Sequence, residues 1–179
     1  MIHTSSERLV PYSIAPLFGL IADIESYPLY MPGFRAARVL ERTATCWRVQ
    51  QTVSFVGLQA TFISMVELDP PKRLEIRASE TPIRSFSLVW ILTPRAAEKT
   101  LIRAELDLAF RSMVLEGLAM HILPLALERA MAAFEQRAPS LLSQARGGAA
   151  RFHLRAKAGP HPKARPHRDR RERHRSWHL

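Results

Sequence analysis

The chain has little cysteine, few glycines and no uninterrupted apolar run of membrane length, and each shortage removes a class of protein. One cysteine, Cys46, in 179 residues excludes an internal disulfide and a cysteine-based metal centre, and fits a reducing compartment. The seven glycines form no phosphate-cradling loop, and neither metal-ligand spacing nor a nucleophile–base pair is present. The start, Met1-Ile2-His3-Thr4-Ser5-Ser6-Glu7, has no cationic segment leading into an apolar one, so no signal peptide is expected. The most apolar stretch, Met113 to Leu127, is interrupted by Glu116, His121 and Pro124 and does not read as the ~20 apolar residues of a bilayer span. The expected location is cytoplasmic, with peripheral contact at the inner membrane face as an extension of that reading.

Charge is present but uneven. Residues 1–145 carry 15 Lys+Arg against 14 Asp+Glu, a balance of +1, whereas residues 146–179 carry 11 against 2, a balance of +9. The basic character belongs to the tail. Residues 1–145 read as one near-neutral globular domain, long enough for a core of its own. From Arg146 onward apolar periodicity is lost, Gly147-Gly148 reads as a hinge, and the run from His161 to Arg175 is low-complexity and charged. Such a segment is expected to be a disordered basic tail.

Within the body the hydrophobic period changes twice. Residues 3–11 alternate loosely and predict a strand. Ser13 is a helix N-cap candidate, Pro16 falls in the first turn, and Leu17, Phe18, Leu20 and Ile21 have helical spacing. Pro28 should stop that helix near Ser26, and Tyr27-Pro28-Leu29-Tyr30-Met31-Pro32-Gly33 reads as a second short helix or turn. From Phe34 the period becomes two. Phe34–Arg42, the run through Trp47, Val49, Val53 and Phe55, and the run through Phe62, Ser64, Val66 and Leu68 each predict a strand. So do Leu74, Ile76 and Ala78; Phe86, Leu88, Trp90 and Leu92, ended by Pro94; and Ile102 to Phe110. Only short turns separate these strands, which requires antiparallel pairing. From Ser112 to Ala138 the period is helical again, predicting a helix of about 27 residues and ~40 Å, with a kink or local break at Pro124.

The fold class is therefore α+β: a curved antiparallel seven-stranded sheet wrapped around a long C-terminal helix, with two short helices after the first strand. That order resembles the START-like helix-grip superfamily. Ala22-Asp23-Ile24-Glu25-Ser26-Tyr27-Pro28 with Pro32 resembles the D-x-E-x-Y-P-x-F-x-P element of the coenzyme Q-binding protein family and its bacterial polyketide cyclase/dehydrase-like relatives. Leu68-Asp69-Pro70-Pro71, Trp90-Ile91-Leu92-Thr93-Pro94, Leu106 to Ser112 and Ala133 to Ala138 resemble later elements of the same family, in the same order. The chain departs from the pattern at Gly33, where the family usually has tryptophan, and at Thr81-Pro82-Ile83, where it commonly has Gly-Pro-Phe.

The resemblance implies non-catalytic binding of a hydrophobic small molecule, a prenylated quinone such as ubiquinone or another isoprenoid or lipid, in support of respiratory electron transport. No cofactor is required. A pocket between sheet and helix would be lined by Phe62, Phe86, Trp90, Leu106, Phe110, Met120 and Leu127, with Met113 and Met131 as adaptable neighbours. Tyr27, Pro28, Met31 and Pro32 would form its mouth. Gln51 and Ser64, polar residues on apolar faces, either hold a ligand oxygen or hydrogen-bond locally. Inward aromatics and methionines are more often the ordinary content of a core. Two other readings stand beside this one. A cyclase or dehydratase needs an acid or base in the cavity, for which only His121 and the outward-facing Asp107 are candidates. A ribosome-associating protein, a function found among the family's relatives, would use the arginines of the tail to bind RNA phosphates, as a membrane-associated carrier would use them on anionic lipid.

Overall fold

The computed structural model describes residues 1–55, 57–80 and 83–156. The chain divides into two compact units, Met1–Ala145 and Arg146–Leu179, and the first carries the sheet. Seven strands form it: β1 (Ile2–Val10), β2 (Phe34–Arg42), β3 (Cys46–Phe55), β4 (Leu58–Asp69), β5 (Arg73–Ala78), β6 (Ile83–Ala96) and β7 (Lys99–Phe110). All pairings are antiparallel, in the order β1-β7-β6-β5-β4-β3-β2. Strands β2 to β7 are a plain meander. The chain's first strand returns beside its last, and the two short helices bridge β1 to β2 at the opposite edge.

Alternation sets which face is buried. Val49, Phe62, Val66, Leu74, Ile76, Leu88, Trp90, Ile102, Ala104 and Leu106 all join one apolar cluster. Pro94 does not end β6. The strand continues to Ala96 across a register irregularity between Pro94 and Ala96, and a proline is tolerated where the ladder is already broken.

Helix α1 (Ile14–Ala22) follows an extended Ser13 whose side chain makes no capping bond. It stops at Ala22, earlier than the end near Ser26 expected from Pro28, and Ile24–Leu29 tightens into a 3-10 helix containing Pro28. Proline has no amide to give and clashes with an α-helical carbonyl four residues back. Gly33 then turns the chain into β2 with φ +86°, and a Cβ there would lie 3.2 Å from the Ser54 carbonyl oxygen. Its own carbonyl accepts from the Ser54 amide at 2.7 Å. That geometry accounts for glycine where the family pattern has tryptophan.

The long helix α2 runs unbroken from Met113 to Ala156 through Pro124 and Pro139. It passes both the expected end at Ala138 and the start of the expected disordered tail at Arg146. Alanine, leucine and arginine dominate residues 141–156, and a glycine costs only about 1 kcal/mol relative to alanine in a helix. Gly147-Gly148 is therefore no stop. Residues 157–179, the remainder of the expected tail, lie outside the described residues.

The start of α2 is held by polar contacts. Ser112 Oγ accepts from the Leu115 amide at 3.4 Å, and Glu116 accepts from the Phe110 amide at 3.2 Å and from the Met1 ammonium. Hydrogen bonding from the ammonium, then from that amide, holds the Glu116 carboxyl below its ordinary range. Further along, Arg8 of β1 pairs with Glu128. Both ties run to the N-terminal segment, Met1 and β1, at one edge of the sheet. By length and apolar composition Met113–Ser140 would also suffice to cross a membrane. In this fold its inner stripe, Ala119, Leu123, Leu127, Met131, Phe134 and Ala138, is buried.

Candidate functional site

The space between sheet and helix has two unlike ends. At one, Trp90, Leu74, Ile102 and Met131 are each no more than 1% exposed, as is Phe134. The Trp90 and Phe134 rings lie 5.7 Å apart at 35°. At the other end Phe86 is half-buried, Leu106 and Phe110 retain a little exposure, and the Phe62 and Phe86 rings are 6.2 Å apart and tilted.

This looser end lies beside an interruption of the sheet. β4 has twelve residues and β5 six, and their ladder covers only Met65 to Asp69. Beyond it the Ile63 amide donates to Glu80 Oε2 at 3.2 Å instead of to a strand. A pocket of about 530 Å³ opens there, lined by Met1, Ile63, Met65, Arg77, Ala78, Ser79, Glu80, Ser85, Phe86, Ser87 and Asp107. Its size is typical of small-molecule pockets.

The expected lining residues separate accordingly. Phe62, Trp90, Leu106, Phe110 and Leu127 are buried in one cluster against which Phe86 packs, and Phe86 alone also lines the pocket. Met120 is 55% exposed and Met113 90%, so neither faces the core. The first turns of α2 carry apolar residues on their outer side too, with Val114, Leu118 and Leu125 exposed as well, and Ala119, Leu123 and Leu127 take the inner position. Tyr27 and Met31 are core residues rather than a mouth, whereas Pro28 is half-buried and Pro32 exposed. The Tyr27 hydroxyl donates to the Ile21 carbonyl at 2.5 Å, and its ring meets Tyr30 and Phe34 edge-on. Gln51 Nε2 donates to Ser64 Oγ at 2.9 Å, and Ser64 donates to the Val49 carbonyl at 3.2 Å. This is the local pairing, and it leaves the buried amide and hydroxyl satisfied.

Three donors in the grip have no hydrogen-bond partner among the described residues: Trp90 Nε1, Arg137 Nε and the Tyr30 hydroxyl, all buried atoms. The Arg137 guanidinium lies 6.0 Å from the centre of the Tyr30 ring. Burial, with the nearby Asp23 charge, pushes the Tyr30 phenol up against the opposing effect of Arg137. Burial likewise raises Tyr27. Both phenols stay protonated and can donate at neutral pH. Arg137 and Tyr30 fall within segments read from the sequence but were not named there as site residues, although an arginine three residues after Phe134, beside a buried stripe, is a polar residue in an apolar place.

Acid–base groups lie elsewhere. His121 is exposed, and Asp107 faces outward, with His3 Nδ1 at 2.8 Å from its carboxylate. Among the described residues the one buried carboxylate is Glu75, on the outer face of β5. Burial alone would raise its pKa, but hydrogen bonds from Arg77 and Arg73 outweigh that and lower it. No cluster of His, Cys, Asp or Glu able to hold a metal ion occurs among the described residues.

A curved seven-stranded antiparallel sheet closed by one long helix defines a helix-grip protein of START-like type. The chain belongs to the family described as polyketide cyclase / dehydrase and lipid transport, which matches residues 10–135. The ribosome association toxin RatA of Escherichia coli (strain K12) is 29% identical over 116 residues, covering 65% of this chain and 73% of the toxin. The mitochondrial coenzyme Q-binding protein coq10 of Schizosaccharomyces pombe is 29% identical over 113 residues, 60% of this chain and 68% of that protein. A START superfamily protein from Mycobacterium smegmatis superimposes with a TM-score of 0.68 at 19% identity, covering 78% of this chain and 98% of that one, a likeness of fold.

Proposed function

We propose that this protein is a non-catalytic carrier of a hydrophobic small molecule with acceptor oxygens on its head, a prenylated quinone of the ubiquinone type. The observation that carries this reading is the set of unpartnered donors Trp90 Nε1, Arg137 Nε and Tyr30 Oη within an otherwise apolar grip. Indole and guanidinium nitrogens only donate, and a buried donor left unpaired costs about 1–3 kcal/mol. Quinone carbonyls only accept. A plain hydrocarbon would leave the same donors unpaired. The isoprenoid tail needs no motif, because each buried CH₂ contributes about 0.8 kcal/mol relative to water. The similarity to a coenzyme Q-binding protein points the same way. Catalysis of the cyclase or dehydratase kind is less well supported, because the buried carboxylate lies on the outer face and His121 in solvent.

The test is organic extraction of protein purified from its own host, followed by mass spectrometry. A prenylated quinone near one per chain supports the carrier; an extract without isoprenoid or lipid contradicts it. A second reading, ribosome association in the cytoplasm, is favoured by the similarity to the toxin and by the +9 balance of residues 146–179. Co-sedimentation with ribosomal subunits that weakens steeply with salt would support it. Sedimentation as free protein at low salt would count against it.

A further inference from the structure

The 530 Å³ pocket lies mainly on the outer face of the sheet and shares only Phe86 with the expected ligand-lining residues. Its lining joins apolar Ile63, Met65, Ala78 and Phe86 to an exposed polar rim of Arg77, Ser79, Glu80 and Ser85. By strand alternation Met65, Arg77, Ser87 and Asp107 face away from α2, whereas Ala78 and Phe86 face toward it. One pocket thus collects residues from both faces of the sheet. That is feasible only where the ladder is interrupted, and here β5 ends at Ala78 while β4 extends beyond it. Phe86 is the side chain shared by pocket and core.

We propose that this pocket is the portal of the grip: an amphipathic ligand meets the polar rim with its head in transit and then passes the Phe86 ring into the grip. The inference rests on the carrier reading and names the route to the same interior. The rim also selects the head. Arg77 and the Met1 ammonium bring two positive charges, and Glu80 and Asp107 two negative ones. Arg77 is already paired with Glu75 and Glu67, and Met1 with Glu116. No uncompensated cation is left for a phosphate or carboxylate; Ser87 already donates to Glu75 at 3.2 Å, while the Ser79 and Ser85 hydroxyls can donate to a neutral oxygen-bearing head. The portal therefore admits a neutral head on a hydrocarbon tail, and a fatty acid of similar length enters poorly.

A portal is a kinetic element. Blocking it slows binding and release by the same factor and leaves the equilibrium unchanged, whereas damage to a resting site appears mainly in the release rate. The experiment is stopped-flow quenching of Trp90 fluorescence by a short-chain prenylated benzoquinone, in full-length protein carrying Trp47→Phe and Trp177→Phe. Ser85→Phe and Ser79→Phe each fill the rim at an exposed position and are checked for folding by circular dichroism. Both are expected to slow association and dissociation about tenfold, with the equilibrium midpoint moving less than about threefold. Phe86→Ala is expected to accelerate both steps. Saturable quenching with rates that neither plug alters overturns the portal and leaves the carrier standing. Loss of affinity confined to the dissociation rate also overturns it, by making the pocket a resting site. Absence of quenching in the parent protein overturns the carrier reading and the portal with it.

Discussion

The two ends of the grip are built from the same kinds of residue and behave differently. At the Trp90 end Leu74, Trp90 and Ile102 are sealed beneath Met131 and Phe134, and β5, β6 and β7 are continuously paired. At the Phe86 end the β4–β5 ladder has stopped at Met65, Phe86 is half-buried, and a pocket opens. Both ends carry aromatic and aliphatic side chains, so composition does not separate them. Backbone continuity does. Where every strand has two neighbours the inward side chains stay covered; where one strand is six residues shorter than the next, side chains lose a wall.

Mutations can test this contrast. Trp90→Ala should cost about 3–5 kcal/mol, read as a large drop in the urea midpoint. Phe86→Ala should cost about half as much or less, because part of that ring is already in water. Equal costs would mean that the two ends are packed alike. Tyr27→Phe should cost about 1–3 kcal/mol, since it removes a buried hydrogen bond and leaves the Ile21 carbonyl unpaired. A neutral result would show that the short 3-10 helix is not anchored to the close-packed core.

The outer face supplies a pH prediction. The Glu75 carboxyl is lowered from its ordinary value of 4.5, so the folded state binds its proton less readily than the unfolded state does. Its stabilising contribution is complete above the unfolded pKa and is lost as pH falls through the folded one. The urea midpoint should therefore decline below about pH 4.5, and Glu75→Gln should flatten that decline. An unchanged slope would remove Glu75 and its arginines from the outer brace of β5. Smallest of all, Met120→Ala should shift stability by no more than about 0.5 kcal/mol, because its side chain is in solvent.

Met120 also shows where the sequence was hard to read. Strands announced themselves because Phe62, Ser64 and Val66 face one way and Ile63 and Met65 the other, a period that only one packing satisfies. The early turns of α2 carry no such code. Met113, Val114, Leu118, Met120 and Leu125 put apolar groups on the outer side of the helix too, so spacing could not say which side meets the sheet. Pro94 misled for a local reason, since a proline ends an intact ladder but not an irregular one. The pocket was invisible for a structural reason. Ile63, Met65 and Arg77 alternate with the inward residues of their strands, and only the unequal lengths of β4 and β5 bring them together with Phe86. Tyr30 and Arg137 are far apart in sequence, and their shared lack of a partner is a property of the folded chain.

The most direct measurement of the central claim is an equilibrium titration of Trp90 fluorescence, in the Trp47→Phe/Trp177→Phe protein, with a prenylated quinone. Saturable quenching at one quinone per chain is expected, weakened at least about tenfold when Tyr30→Phe and Arg137→Met are combined, the effect of about 1.4 kcal/mol of lost hydrogen bonding. Quenching that never saturates, or binding that the double substitution leaves intact, would contradict a grip built to hold an acceptor-bearing head.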